Sequence, residues 1–345
     1  MKISTETPRR VLVIGTGSIG ERHVRCLQQF KHLEIGICEV ATAIRRRVAT
    51  EYQISESFSD LEEALASGWD IAVIATPAQT HVPIATRCVE AGIHLLIEKP
   101  LAVAEAGVAQ LVEQIEAREL LAGVAYVYRS HPALVAMREA VRSGRFGRPV
   151  QVVASGGQHF PLYRPEYRDV YYADHAQGGG AIQDALTHVL NAAEWLVGPI
   201  DRILADAEHK VLDGVDVEDT VHALTRHGSV MGCFMLNQHQ SPNELSLRVI
   251  CEEGTCDLLL DRHLWRWMKE PDSGWKEEAT GIVERDDWFS LQHEALLNAM
   301  DGNASLPCDL REGLHSLKVN RAALASAAAG GVWKTITQPV EAAAQ

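Results

Sequence analysis

Gly15, Gly17 and Gly20 carry the spacing GxGxxG, with Ser18 and Ile19 ahead of the last glycine. Glycines at that spacing permit a tight turn and let the backbone approach a pyrophosphate at a helix N-terminus. Glu39 follows 19 residues past Gly20. A carboxylate there accepts hydrogen bonds from both hydroxyls of an adenosine ribose and repels a 2′-phosphate. Together the two features predict a dinucleotide site that takes NAD in preference to NADP. A glycine-rich turn without ligand is the plainer reading of the turn alone.

Glu98-Lys99-Pro100 follows the apolar run His94–Ile97. If that run is a strand of a parallel sheet, Lys99 stands at its C-terminal end, where such sheets open onto a ligand crevice. A solvated surface lysine is the competing reading. Asp184 and His188 lie four apart in a helix expected after Gly178-Gly179-Gly180. That spacing puts both on one helix face, and imidazole titrates near neutral pH, so the pair suits proton transfer. A surface contact, or two of three metal ligands, are the alternatives. Neither HxH nor HExxH accompanies the pair, so no metal is expected.

Short apolar runs at Val11–Ile14, Glu34–Cys38, Ile71–Ala75, His94–Ile97 and Leu121–Val127 read as strands. Helical patterns lie between them near 19–31, 41–52, 60–67, 80–91 and 103–118. Strands rich in Ile, Val and Leu, alternating with helices, build a doubly wound parallel sheet buried on both faces. A helix near 133–143 follows, then a strand at Val150–Ser155. After the glycine-led helix, which runs to about Leu196, strand-like runs follow one another. They are Ile200–Ala207, Thr220–Arg226, Val230–Asn237, Leu245–Cys251 and Cys256–Leu260. Strands in succession predict an antiparallel sheet in a second, α+β domain. Helices near 290–301 and 309–330 close the chain. The division expected is a Rossmann domain over 1–125 and a substrate-binding domain over 126–345.

The length of 345 residues suits two domains, and 46% apolar with 23% charged residues suits a globular chain. A net charge of −14 disfavours nucleic acid as partner. The seven cysteines are odd in number and form no CxxC pair, which fits buried thiols in a reducing compartment. No apolar run has the length of a membrane span. Arg9-Arg10 precedes an apolar core, Val11–Ile14, too short for an export signal. A cytoplasmic location is the expectation.

In order and spacing, these motifs resemble the Gfo/Idh/MocA oxidoreductases, a family that includes inositol dehydrogenase and glucose–fructose oxidoreductase. The resemblance rests on Gly15–Gly20, Ala75-Thr76-Pro77 with His81, Glu98-Lys99-Pro100 and Tyr126–Pro132. It continues through Gly178–Gly180 with Asp184 and His188, to Trp195-Leu196-Val197-Gly198. It implies a nicotinamide cofactor touched by Thr76, Pro77, His81 and Glu98 as well as by the glycine turn. It implies Lys99 as catalytic lysine, often before a cis proline, with His188 as general acid/base and Asp184 as its companion. It also implies Arg129 near substrate, a large and mainly antiparallel open sheet in the second domain, and a homo-oligomer, dimer or tetramer. Two departures stand out: Leu186 where a glycine is common, and Val127 where an amide side chain is frequent.

The reading is therefore an NAD-dependent oxidoreductase acting on a secondary alcohol of a sugar, polyol or sugar acid. A non-catalytic NAD-sensing regulator and a redox-neutral, NAD-using glycoside hydrolase are the alternatives. Four of the seven tyrosines fall between 163 and 172, just ahead of the glycine-led helix. Tyr163 and Tyr167 would stack on a sugar, and Arg164 and Arg168 would clamp a carboxylate. The competing reading is a tyrosine cluster that packs the domain or a subunit interface.

Overall fold

The computed structural model describes residues 8–281 and 284–337. The chain divides into two compact units, Met1–Val127 with Glu284–Gly313, and Tyr128–Val283 with Leu314–Gln345.

The first unit alternates strands and helices: β1 (Arg9–Ile14), α1 (Ser18–Leu27), β2 (Leu33–Cys38), α2 (Thr42–Glu51), β3 (Glu56–Phe58), α3 (Leu61–Leu65), β4 (Ile71–Ile74), α4 (His81–Glu90), β5 (His94–Ile97), α5 (Val108–Ala117) and β6 (Ala122–Val124). Every strand pair is parallel, in the order β3-β2-β1-β4-β5-β6. The sheet reverses direction at β1 and β4, and a doubly wound sheet opens its ligand crevice at such a point. Strand β3 escapes the apolar pattern because its three residues, Glu-Ser-Phe, sit at the sheet edge with one neighbour only.

The second unit holds α6 (Pro132–Arg142), β7 (Pro149–Gly157), α7 (Phe160–Tyr163), a π-helical turn (Ile182–Leu186) that runs into α8 (Thr187–Val197), then β8 (Arg202–Glu208), β9 (Thr220–His227), β10 (Val230–Asn237), β11 (Glu244–Cys251), β12 (Gly254–Leu259), β13 (Leu264–Met268) and β14 (Lys276–Ala279). Helix α9 (Arg285–Met300) follows, then α10 (Leu310–Ala328) and the short β15 (Lys334–Thr335). The nine-stranded sheet runs β14-β13-β12-β11-β7-β10-β9-β8-β15, antiparallel except for the β7–β10 pair. One face is buried. On the other, Val153, Cys233 and Leu224 stand side by side across β7, β10 and β9, with Met231 and Met235 nearby, all exposed. The other six cysteines are buried, and all seven are free thiols.

Residues 284–313, assigned above to the second domain, belong to the first unit. Leu296 and Leu297 of α9 pack into the same core as Val11, Val13, Ile37 and Val73. Arg25 of α1 binds Asp286 with two hydrogen bonds, at 2.6 and 3.0 Å. Burial of Phe289, Leu296 and Leu297 decides the placement, and sequence position does not.

Candidate active site

The ends of β1, β2, β4 and β5 bring together the residues of the first unit that the sequence singles out. Gly15 turns the chain after β1 with φ +81°. A Cβ there would lie 2.8 Å from Cγ2 of Thr76 and 2.9 Å from the Ala75 carbonyl oxygen. A Cβ on Gly20 would lie 1.9 Å from the Gly15 carbonyl oxygen, so α1 packs onto the turn only with glycine there. Around Gly17, by contrast, a Cβ meets nothing within 4 Å. Gly17 and Ser18 are exposed and Ile19 is half-buried at the start of α1, whose N-cap is Gly17. A bare backbone at an exposed helix N-terminus is a cradle for an anion, so these residues fit a pyrophosphate.

Glu39, at the end of β2, closes one side of this cradle. Its Oε2 accepts the Thr16 backbone N–H at 2.8 Å, and its Oε1 accepts that of Ala41 at 2.8 Å. Oε2 also receives the Thr16 hydroxyl at 3.4 Å, and Oε1 keeps a second lone pair that suits a ribose hydroxyl. Arg45 donates to the Glu39 backbone carbonyl at 2.6 Å, whereas Arg47 pairs with Glu21.

Lys99 follows β5, half-buried, and the Lys99–Pro100 peptide is cis. Two side chains hold this segment. Glu98 Oε2 accepts the Lys99 backbone N–H at 3.0 Å. His81, fully buried at the head of α4, reaches the Pro100 carbonyl at 3.0 Å and the Thr76 carbonyl at 2.7 Å. Burial pushes the His81 imidazole below its usual range, against the pull of those carbonyls and of Glu98. Thr76 also accepts a hydrogen bond from the Thr80 hydroxyl at 2.7 Å, and Pro77 is exposed beside it. Glu98 is buried, which disfavours its charge. Hydrogen bonding and charge from His23, with the Lys99 ammonium and backbone N–H, nonetheless hold its carboxyl below the ordinary range.

Asp184 and His188 lie in the second unit. The sequence-based expectation of one regular helix is corrected here, because Asp184 belongs to the π-helical turn and His188 to the first turn of α8. Such π turns are frequent at functional sites. Buried Asp184 accepts a 2.6 Å hydrogen bond from the Tyr171 hydroxyl. Half-buried His188 packs against Tyr128, its ring tilted by 30° and 4.9 Å away between ring centres. Leu186 and Val127 are both buried.

The glycine run exists for packing. A Cβ on Gly180 (φ +86°) would lie 2.6 Å from the Glu218 carboxylate. Glu218, buried, accepts the Ile182 backbone N–H at 2.8 Å and meets His175 Nε2 at 2.5 Å, so a carboxylate caps the turn that carries Asp184. Tyr171 falls in the tyrosine-rich segment, which did not single it out, and no motif marks Glu218; their place against the helix start identifies both.

The tyrosine segment divides. Tyr167 and Tyr172 pack with Phe160, Leu212, Val215 and Val217 in a core of their own, and the Tyr167 hydroxyl donates to the Asp213 carbonyl. At 2% exposure Tyr167 has no face left for a sugar, contrary to the expectation above. Arg168 also donates to the Asp213 carbonyl, at 2.7 Å. Tyr163 is 47% exposed and Arg164 half-buried. Arg129 is buried as well. Its Nε donates to Asn191 Oδ1 at 2.7 Å and its guanidinium lies 5.6 Å from the Trp195 ring.

Among the described residues, no group of three His, Cys, Asp or Glu is placed to hold a metal ion, and no helix is long and apolar enough to cross a membrane. Residues 9–126 match the family described as "Oxidoreductase family, NAD-binding Rossmann fold", and residues 134–257 match the "GFO/IDH/MocA C-terminal domain". The chain is 26% identical over 340 residues to inositol 2-dehydrogenase of Rubrobacter xylanophilus, spanning 94% of this chain and 92% of that protein. It is 34% identical over 254 residues to inositol 2-dehydrogenase 1 of Saccharopolyspora erythraea, spanning 66% and 72%. Its fold is similar to that of levoglucosan dehydrogenase in complex with NADH and levoglucosan, with TM-score 0.87, 20% identity, and coverage of 96% and 100%. The chain therefore belongs to the Gfo/Idh/MocA family of NAD-dependent oxidoreductases.

Proposed function

We propose that this protein transfers a hydride between NAD and a secondary alcohol carbon of a sugar, polyol or sugar acid. The observation that carries the reading is the clamped Lys99 segment, held by Glu98 and His81 at the same sheet end as the glycine cradle and Glu39. When bound, the nicotinamide ring accepts or returns the hydride. Glu39 supports a choice of NAD over NADP. Lys99 hydrogen-bonds the reacting oxygen and stabilises its developing negative charge. His188 takes the hydroxyl proton, and Asp184, fixed by Tyr171, orients substrate. The inositol, levoglucosan and xylose dehydrogenases among its relatives support a polyhydroxylated substrate.

The same reading includes self-association in the cytoplasm. Its support is the row of exposed apolar side chains on the open sheet, a kind of patch that usually marks an interface.

A panel of myo-inositol, levoglucosan, D-xylose and hexuronic acids, each with NAD and with NADP, tests the proposal through the absorbance of reduced cofactor. Turnover with at least one member and a preference for NAD are expected. Release of nitrophenol from nitrophenyl glycosides added to the panel, without net NADH, would favour the hydrolase instead. Cofactor binding with no turnover on any member would favour a sensor.

A further inference from the structure

A buried polar chain crosses the interior of the first unit and takes no part in hydride transfer itself. His23 is on α1, three residues past Gly20, and is fully buried. Its Nε2 lies 3.0 Å from Oε1 of Glu98, and its Nδ1 lies 3.0 Å from Nε2 of His293 on α9. His293 is also fully buried. The second oxygen of Glu98 is the one that receives the Lys99 N–H.

Counting protons constrains this chain. An ionised carboxylate only accepts, so the His23 proton facing it sits on Nε2. One further proton then lies between His23 Nδ1 and His293 Nε2. If His293 supplies it, both rings are neutral. If His23 supplies it, an imidazolium faces the carboxylate. Both arrangements match every facing pair and leave Glu98 ionised, the state that burial alone would forbid.

We propose that His23 and His293 are positioning residues for Lys99: they keep Glu98 ionised and oriented so that its free oxygen fixes the Lys99 backbone, and they tie that point to the helix that opens the dinucleotide turn. The proposal rests on the reading of Lys99 as the catalytic lysine. The groups that face Glu98 are Lys99 on its own segment, His23 from α1 with His293 of α9 behind it, and His81 from α4. The two ring nitrogens of His81 lie against the Pro100 and Thr76 carbonyls, with neither on the carboxylate, so His23 is the imidazole that meets it.

Packing is the rival role, because the His23 ring also meets the edge of Phe289 at 5.2 Å. Apolar and amide replacements separate the two. In the full chain, His23→Leu removes the donor, whereas His23→Gln keeps an amide N–H near the position of Nε2. His293→Phe and His293→Gln do the same one step back. Three measurements apply: NAD affinity by tryptophan quenching, amide hydrogen exchange over residues 98–101, and the pH profile of kcat with the best substrate of the panel.

The Leu and Phe variants should exchange those amides at least ~10-fold faster. They should also raise the acid limb of kcat, by about one pH unit for His23→Leu, as Glu98 titrates against its burial. The Gln variants should restore both, with NAD affinity within about threefold throughout. If His23→Leu does not fold, His23→Asn, whose amide stops short of Glu98, replaces it against His23→Gln. Wild-type exchange and pH profile in the apolar variants, or Gln variants as impaired as the apolar ones, would overturn the proposal. Lys99→Ala in the same assay isolates the underlying reading: normal turnover there removes the catalytic lysine, while amide exchange still judges the chain from His293 to Glu98.

Discussion

Glu39 shows how much one side chain decides. Its two oxygens are steadied by the N–H groups of Thr16 and Ala41, so its carboxylate is already oriented for the ribose contact proposed for it. Glu39→Ala should weaken NAD binding about tenfold, the scale of a charged hydrogen bond, and narrow the preference over NADP. Titration of both cofactors by tryptophan quenching measures this, and an unchanged ratio would remove Glu39 from its role. Lys99→Ala and His188→Ala should each lower kcat at least ~10²-fold while NAD affinity holds. Tyr171→Phe, which strips the hydrogen bond from Asp184, should lower kcat about tenfold without moving NAD affinity. Lys99, Glu39, Asp184 and His188 stood out in the sequence because each sits beside a local landmark, a glycine turn or a strand end. His23 and His293 did not. They are 270 positions apart and nothing local links them.

At the level of elements, the glycine turn makes two contrasting forecasts. Gly20→Ala puts a methyl 1.9 Å from the Gly15 carbonyl oxygen and should cost more than ~2 kcal/mol of stability along with NAD binding. Gly17→Ala meets open space, so stability should stay within about 0.5 kcal/mol of wild type while NAD affinity falls, because the methyl occupies the anion's approach. Thermal unfolding with and without NAD separates the two; equal destabilisation would contradict the division of roles. The turn was legible from spacing alone. The π turn that carries Asp184 was not, because its surroundings, Glu218 and the tyrosine segment against Gly179 and Gly180, come from other parts of the chain.

For the whole molecule, histidine ionisation sets the acid limit. Burial pushes His81, His94, His131, His227 and His293 below their usual range, His131 to about 4. Each is protonated in the unfolded chain near 6.5 but stays neutral when folded. The stability they contribute is therefore complete above 6.5 and is lost as pH falls towards the folded values. For His131, whose Nδ1 also caps α6 by accepting the Ala133 N–H, the loss amounts to roughly 3 kcal/mol by pH 4. His175 and His315 are raised by Glu218 and Glu194 and oppose the trend, but they are outnumbered. Urea midpoints should fall steadily from pH 6.5 to 4, and His131→Gln should flatten part of that slope. A midpoint that rises on acidification would contradict the assignment.

The sequence by itself determined the two sheets, the glycine turn after the first strand and the lysine at a strand end. Each of these is written in short-range patterns: apolar runs, glycine spacing, a charged residue at a fixed offset. Tertiary structure alone decided that residues 284–313 return to the first unit, that Tyr167 and Arg129 are buried, and that His23, Glu98 and His293 meet at hydrogen-bonding distance. Those outcomes depend on which surfaces exclude water and which buried polar atoms must find one another. Such pairings are settled by contacts between residues far apart in the chain, and no local pattern encodes them.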